Sequence, residues 1–323
     1  MRKKLDQDFL MMNKSLRWKK LGLIYEPDRS LSWSKSHAQV PTVLSKSDGS
    51  CTVYFSSRAI DQRSYIGSCE LNLNEPSRIT DKSNTPILSP GAPGMFDFHG
   101  VYPSSIIEMD DSLWMYYIGY LGGNQRHLFY AAIGLAISRD GGKTFHRFQE
   151  SPIMDKSSYD PCFVTAPTVV RTSSGFMMYY LSCFRWFEIN GVFFSYYDVK
   201  IATSSDGLNW HRDGRVALEL GDATNYSRVS VIKDGEGFCL WTARANPSRG
   251  DCYKIGIAKS IDGLKFSQFT YLDIPDSGST DFDRKMSCYP FIVEYEGRYY
   301  MFYNGNELGR EGFGLAVSNS VLG

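Results

Sequence analysis

An all-β fold built from five repeats of four short strands is what this sequence predicts, and three observations predict it. A short apolar run led by proline or a stand-in starts at Pro41, Pro103, Pro167, Val229 and Pro290, at intervals of 62, 64, 62 and 61 residues. An aromatic run follows each time: Tyr54-Phe55, Tyr116-Tyr117, Tyr179-Tyr180, Trp241 and Phe302-Tyr303. Then comes a strand of small and aliphatic residues, as in Ile133-Gly134-Leu135-Ala136 and Ile255-Gly256-Ile257-Ala258. Units of this length made of short strands at a fixed period are the signature of β-propeller blades. The expectation is a single five-bladed β-propeller of four-stranded antiparallel blades, spanning residues 17–323.

The elements follow in order. Residues 1–16 fall outside the repeat and read as a loose tail or short helix. The segment Arg17 to Ile24 resembles the fourth strand that follows Trp210. The fifth unit ends after its third strand, so the N-terminal strand is expected to close the last blade and remove exposed sheet edges. Third strands run into related turns, Ser138 to Phe145, Ser204 to Trp210 and Ser260 to Phe266, each with Asp and Gly. There Asp140, Asp206 and Asp262 bond backbone amides and glycine supplies the positive φ, a structural role. The third unit carries an insertion, Cys183 to Tyr197, whose aromatics either pack on a neighbour or line a pocket.

Composition narrows the function classes. The 323 residues carry 35 Lys+Arg against 35 Asp+Glu, so there is no electrostatic footprint for nucleic acid or an anionic membrane. Aromatics make up 15% of the chain and suit either half-buried strands or sugar-stacking platforms. Seven cysteines, an odd number without Cys-x-x-Cys spacing, read as small buried hydrophobes. Acids near the start argue against a signal peptide, and no apolar run reaches membrane-spanning length, which points to a soluble, cytoplasmic protein. No spacing suits a metal site, and there is no glycine-rich phosphate loop or nucleophile elbow, so neither metal nor cofactor is expected.

In a propeller the loops entering the first strands form one funnel-shaped face, where function is sought. An acid lies six or seven positions before the first-strand start in four units, Asp97, Asp160, Asp222 and Asp283, with Ser34 at the matching place in the first. Four carboxylates at one rim would push their pKa values apart, as separate acid and base roles require. Alternatively each caps its own loop. His37 and His99 stand four residues before their prolines, and Arg228 immediately precedes Val229. Arg58, Arg244, Asn306 and Glu307 end second strands on the same face. The arginines would recognise carboxylate or phosphate, or else form surface salt bridges.

The five-fold repeat, the Met115-Tyr116-Tyr117 and Met178-Tyr179-Tyr180 strands, the Ser-x-Asp turns and the later Pro86-Ile87 and Pro152-Ile153 resemble the five-bladed β-propeller glycosidases. These are glycoside hydrolase families 43, 32, 68 and 130 and their relatives, and the likeness covers about residues 17–320. It implies two or three carboxylates around the channel. Those families usually place Asp directly before the first-strand proline, where this chain has Val40, Tyr102, Ala166 and Tyr289, as in a divergent branch. The resemblance implies glycoside cleavage or transfer; from their place at the rim, Asp97 and Asp160 are expected as base or modulator and Asp283 or Glu188 as acid. Arg58, Arg228, Arg244, His37, His99, Asn306 and Glu307 would bind substrate. The alternative is a non-catalytic carbohydrate-binding propeller or an accessory protein of polysaccharide synthesis, with sugar stacked on Trp186 and Tyr102. Three arginines at the mouth would suit an acidic or phosphorylated sugar, unless each pairs with a rim aspartate.

Overall fold

Alternating apolar residues rich in Tyr, Phe, Val and Ile fold every repeat as an antiparallel run of strands. The structure, a computed structural model, describes residues 17–318 except 124, 126, 235, 236, 273 and 275–280. The tail expected over 1–16 lies outside the described residues, as does 319–323. In the first repeat Ser36–Ser45, Ser50–Arg58, Ser64–Asn72 and Ile79–Lys82 pair in sequence. The second does the same with Gly100–Met109, Ser112–Gly122, Phe129–Ser138 and His146–Arg147. In the third the strands are Phe163–Thr172, Gly175–Ile189, Val192–Ser204 and His211–Leu218. The fourth pairs Ser230–Asp234, Gly237–Ala245, Lys254–Ser260 and Thr270–Tyr271.

The fifth repeat draws on both ends of the chain. Cys288–Tyr295, Arg298–Asn304 and Phe313–Ser318 pair in turn, and Phe313–Ser318 then pairs antiparallel with Trp18–Tyr25. Asn304 ties this repeat to the first: its Nδ2 donates to the Ala38 carbonyl at 2.8 Å, and its Oδ1 accepts the Val40 N–H at 2.8 Å.

Burial lies between repeats. One aromatic and aliphatic cluster joins the first and second repeats through Tyr54, Ile66, Met115 and Phe145. Others join the second to the third, the third to the fourth, and the fourth to the fifth. A further cluster joins the fifth back to the first through Phe302, Phe313, Phe55 and Val53. Five of the seven cysteines are buried in these strands.

The aromatic run of the second strands has a specific use. Tyr54, Tyr116 and Tyr179 donate their phenol hydrogens to the carbonyls of Gly142, Gly207 and Gly263, each in the Asp turn of the following repeat. The turns are built as expected, with Asp140 accepting from the backbone of Lys143 and Thr144 at 3.0 Å. The first strands are kinked. Register shifts flank Pro41, Pro103, Pro167 and Pro290, the bulges where a residue without an N–H is tolerated in a sheet. The residue before three of these prolines takes a left-handed backbone: Val40 (φ 54°), Ala166 (φ 50°) and Tyr289 (φ 52°).

Candidate functional site

Those kinks deliver one residue from each repeat to the same place. Val40, Tyr102, Ala166, Arg228 and Tyr289, the positions just before the first-strand proline or its stand-in, all line one cavity of about 520 Å³. Strained, left-handed residues cluster where a fold positions a site, and three of these five are of that kind. Phe129, Phe163, Tyr120 and Tyr197 add aromatic wall, while Arg58, Gln39, Gln62 and His99 add polar edges. No Asp or Glu is among the described residues of the lining.

The phenols of Tyr253 and Tyr289 stay protonated. Burial first, with nearby cysteine and tyrosine charges, pushes Tyr253 and Tyr289 well above the ordinary tyrosine range. Tyr197 and Tyr253 share a 2.8 Å hydrogen bond. His99 accepts the Gly122 N–H on Nδ1 at 3.1 Å, which leaves Nε2 as the donor nitrogen of the neutral ring. Trp186 does not line the cavity. It stacks edge-on behind Phe129, with centroids 5.3 Å apart, and buttresses the wall.

The rim acids expected from the sequence are elsewhere. Asp97, Asp160 and Asp283 are buried, at 0%, 0% and 4% exposure, and none of them lines the cavity. Each is clamped by the second tyrosine of its own repeat and by a cation from the fourth strand. Tyr117 donates to Asp97 at 3.0 Å and Arg147 Nη2 lies 2.7 Å away. Around Asp160 stand Tyr180 at 3.2 Å, Ser182 at 2.6 Å and Arg212 at 2.9 Å. Tyr303 donates to Asp283 at 2.8 Å and Lys20, from the N-terminal strand, pairs with it at 2.9 Å. Burial works to raise the Asp160 carboxyl, but the Ser182 and Ser157 hydrogen bonds, with Lys200 and Arg212, outweigh it and hold the pKa below the usual carboxylate value. The carboxyl is therefore ionised at neutral pH, the state that the base or modulator role expected of Asp160 requires.

The pattern also explains its exceptions. Where the second tyrosine is missing, the cluster is missing: Phe55 and Ser34 occupy its places in the first repeat, Thr242 and Asp222 in the fourth. The Asp222 side chain is 80% exposed and pairs with Arg244 at 3.2 Å.

Several other residues expected to bind substrate lie outside the cavity lining. Arg244 stacks on Phe269 and Tyr271, at 4.9 and 5.1 Å, away from the cavity. Asn306 holds a loop instead, with Oδ1 accepting the Lys285 and Met286 amides. Glu307 is exposed and pairs with Arg310 at 2.7 Å. Glu188 is exposed near the tip of the long hairpin Gly175–Ile189/Val192–Ser204. His37 lies just outside the lining. Burial, then the charges of Arg58 and Arg310, pulls its pKa down to about 4, so the ring is neutral near pH 7.

Arg228 lies at the cavity floor but is spent on the fold. It is 1% exposed, and its Nη2 donates to the carbonyls of Pro41, Tyr289 and Pro290 at 2.9, 2.9 and 3.1 Å. Nη1 reaches Thr42 Oγ1 at 3.3 Å and the Ser104 carbonyl at 3.4 Å. One side chain from the fourth repeat thus joins first strands of the first, second and fifth. Of the expected site residues, the cavity brings together Arg58, His99, Tyr102 and the inner face of Arg228. Tyr197, Tyr253 and Tyr289 also line the cavity and were not among the expected site residues; the position before the first-strand proline was the signal for Tyr289.

No family model matches the chain. It is 33% identical over 304 residues to the uncharacterized protein MT1551 of Mycobacterium tuberculosis, covering 94% of this chain and 99% of that protein. This chain belongs to the family of that mycobacterial protein. A second M. tuberculosis protein, Rv1502, matches to the same extent. Among solved structures, a complex of BT0996 with RGII is similar at a TM-score of 0.74 and 18% identity, over 97% of this chain and 94% of that one. The Bombyx mori GH32 β-fructofuranosidase BmSUC1 is similar at 0.61 and 15%, over 98% and 66%. A GH130 structure, from a family of mannoside phosphorylases containing β-1,2-mannoside hydrolases, gives 0.64 and 13%, over 96% and 98%. The chain has the propeller fold of the glycoside hydrolases. No helix among the described residues is long and apolar enough to cross a membrane.

Proposed function

We propose that this chain is one five-bladed propeller domain, over residues 17–323, that binds carbohydrate in the cavity where its blades meet and does not cleave it. The ring is supported by five inter-repeat clusters, the last joining the fifth repeat to the first. Lys20 supports the N-terminal strand as the missing fourth strand, because it fills the place that Arg147 and Arg212 take in theirs. An aromatic-walled cavity with a few polar edges suits sugars, which stack apolar faces and hydrogen-bond at their rims.

The observation that carries the reading is the floor. Acid–base glycoside cleavage uses two carboxyls flanking the bond. Here the five positions before the first-strand prolines or their stand-in hold Val40, Tyr102, Ala166, Arg228 and Tyr289, and the three aspartates expected to act sit in buried ion pairs outside the lining. A glycan array beside a panel of aryl-glycosides, with and without inorganic phosphate, tests this. Glycan binding with no turnover is the expected result. Turnover that Asp97→Asn or Asp160→Asn abolishes at unchanged melting temperature would return the protein to the hydrolases and overturn the reading.

A further inference from the structure

The charges around the cavity do not cancel, and this says what kind of sugar it takes. Arg58 lines the cavity, and among the described residues no carboxylate pairs with its guanidinium. Its charge is felt around the mouth, by Tyr120 and His37 as well as by Tyr289 on the adjoining fifth repeat. Arg228 lies at the floor with only neutral acceptors, four carbonyls and one hydroxyl, and its Nε has no partner. Burial pulls its pKa down to about 9, which still leaves it charged at neutral pH. Arg147 and Arg212, which are mostly buried like Arg228, each have an aspartate, whereas the two guanidiniums at the cavity have none among the described residues.

We propose that the cavity selects an anionic sugar, one bearing a carboxylate or a phosphate, with Arg58 as the ligand contact and Arg228 as a fixed positive charge beneath it. This rests on the reading of the cavity as a carbohydrate site. A planar guanidinium with free donors meets either oxyanion through paired N–H···O bonds. The Nε2–H of neutral His99 and the amides of Gln39 and Gln62 supply further neutral donors in the same lining. Lacking Asp and Glu, the described lining offers an anion no repulsion. At about 520 Å³ the cavity falls inside the roughly 300–1,000 Å³ usual for small-molecule sites.

Calorimetric titration of the full chain tests the proposal. The probes are glucose, glucuronate, galactose, galacturonate, glucose 6-phosphate and inorganic phosphate, at low and at moderate salt. The anionic sugars should bind at least about tenfold more tightly than their neutral counterparts. That preference should shrink as salt screens it. Arg58→Gln should abolish the preference and Arg58→Lys should restore part of it, both at unchanged melting temperature. Comparing the uronates with glucose 6-phosphate identifies which oxyanion fits. Equal binding of neutral and anionic sugars, indifferent to Arg58→Gln, would overturn the inference while leaving the carbohydrate reading intact. Inorganic phosphate that binds through Arg58 while no sugar does would uphold the anion site and overturn the carbohydrate reading. No binding of any probe would overturn both.

Discussion

Around Asp160 and in the cavity, tyrosine and arginine meet in opposite company. At Asp160 the phenol of Tyr180 and the guanidinium of Arg212 both donate to one carboxylate, and Ser182, Ser157 and Lys200 surround what is left of it. Every charge there is answered, so a ligand would find nothing to bind. In the cavity Arg58 and Arg228 have no carboxylate, and neutral tyrosines line the walls. Polar capacity is left over, and leftover capacity marks a binding site more reliably than residue type does. Asp97, Asp160 and Asp283, expected as catalysts, each sit in a buried ion pair outside the cavity lining.

The comparison breaks most visibly at its buried end. Asp160→Ala should cost about 3–5 kcal/mol, because it strands buried cations and a buried phenol. Urea unfolding measures it; a stable variant that had lost a sugar-cleaving activity would instead make Asp160 catalytic. Next in size is Arg228→Ala, expected to destabilise by about 2–3 kcal/mol as first-strand carbonyls lose their donor. Arg58→Ala should change stability by less than about 0.5 kcal/mol, like an ordinary surface site. Similar losses for the two arginines would erase the distinction between framework and ligand contact.

Asp198 sharpens the comparison through pH. It neighbours Lys200 but belongs to no cluster, and its Oδ1 is buried without a partner. Burial, only partly offset by Lys200, raises its pKa from 3.8 to about 6. The folded state therefore holds this proton more tightly than the unfolded chain does. The associated stability is fully present below about pH 4 and is lost as pH rises through about 6. Asp198→Asn should thus be more stable than the native chain at pH 8, by on the order of 2 kcal/mol, and equal to it near pH 4. Thermal melts across that range check the sign, and a constant difference would show that Asp198 is not burdened by its burial. A modest effect is expected of Tyr116→Phe, which removes one inter-repeat hydrogen bond to Gly207. About 0.5–1.5 kcal/mol is expected in the same melts, toward the lower end because Trp210 also donates to that carbonyl.

By itself the sequence determined the repeat, the strands and the turns, because alternation, β-propensity and Asp-Gly turn chemistry act over a few residues. It also carried half of each aspartate cluster: Asp97 and Tyr117, Asp160 and Tyr180, Asp283 and Tyr303 are all 20 residues apart. The other half was not legible. Arg147 lies 50 residues beyond Asp97, Arg212 lies 52 beyond Asp160, and Lys20 comes from the opposite end of the chain. Whether a carboxylate is a free acid or one partner of a buried ion pair depends on which distant cation the sheets bring to it. For the same reason only the tertiary structure decided that Arg58 stays unpaired while Arg244 does not. Local pattern sets where strands run; charge compensation is a long-range property of how they pack.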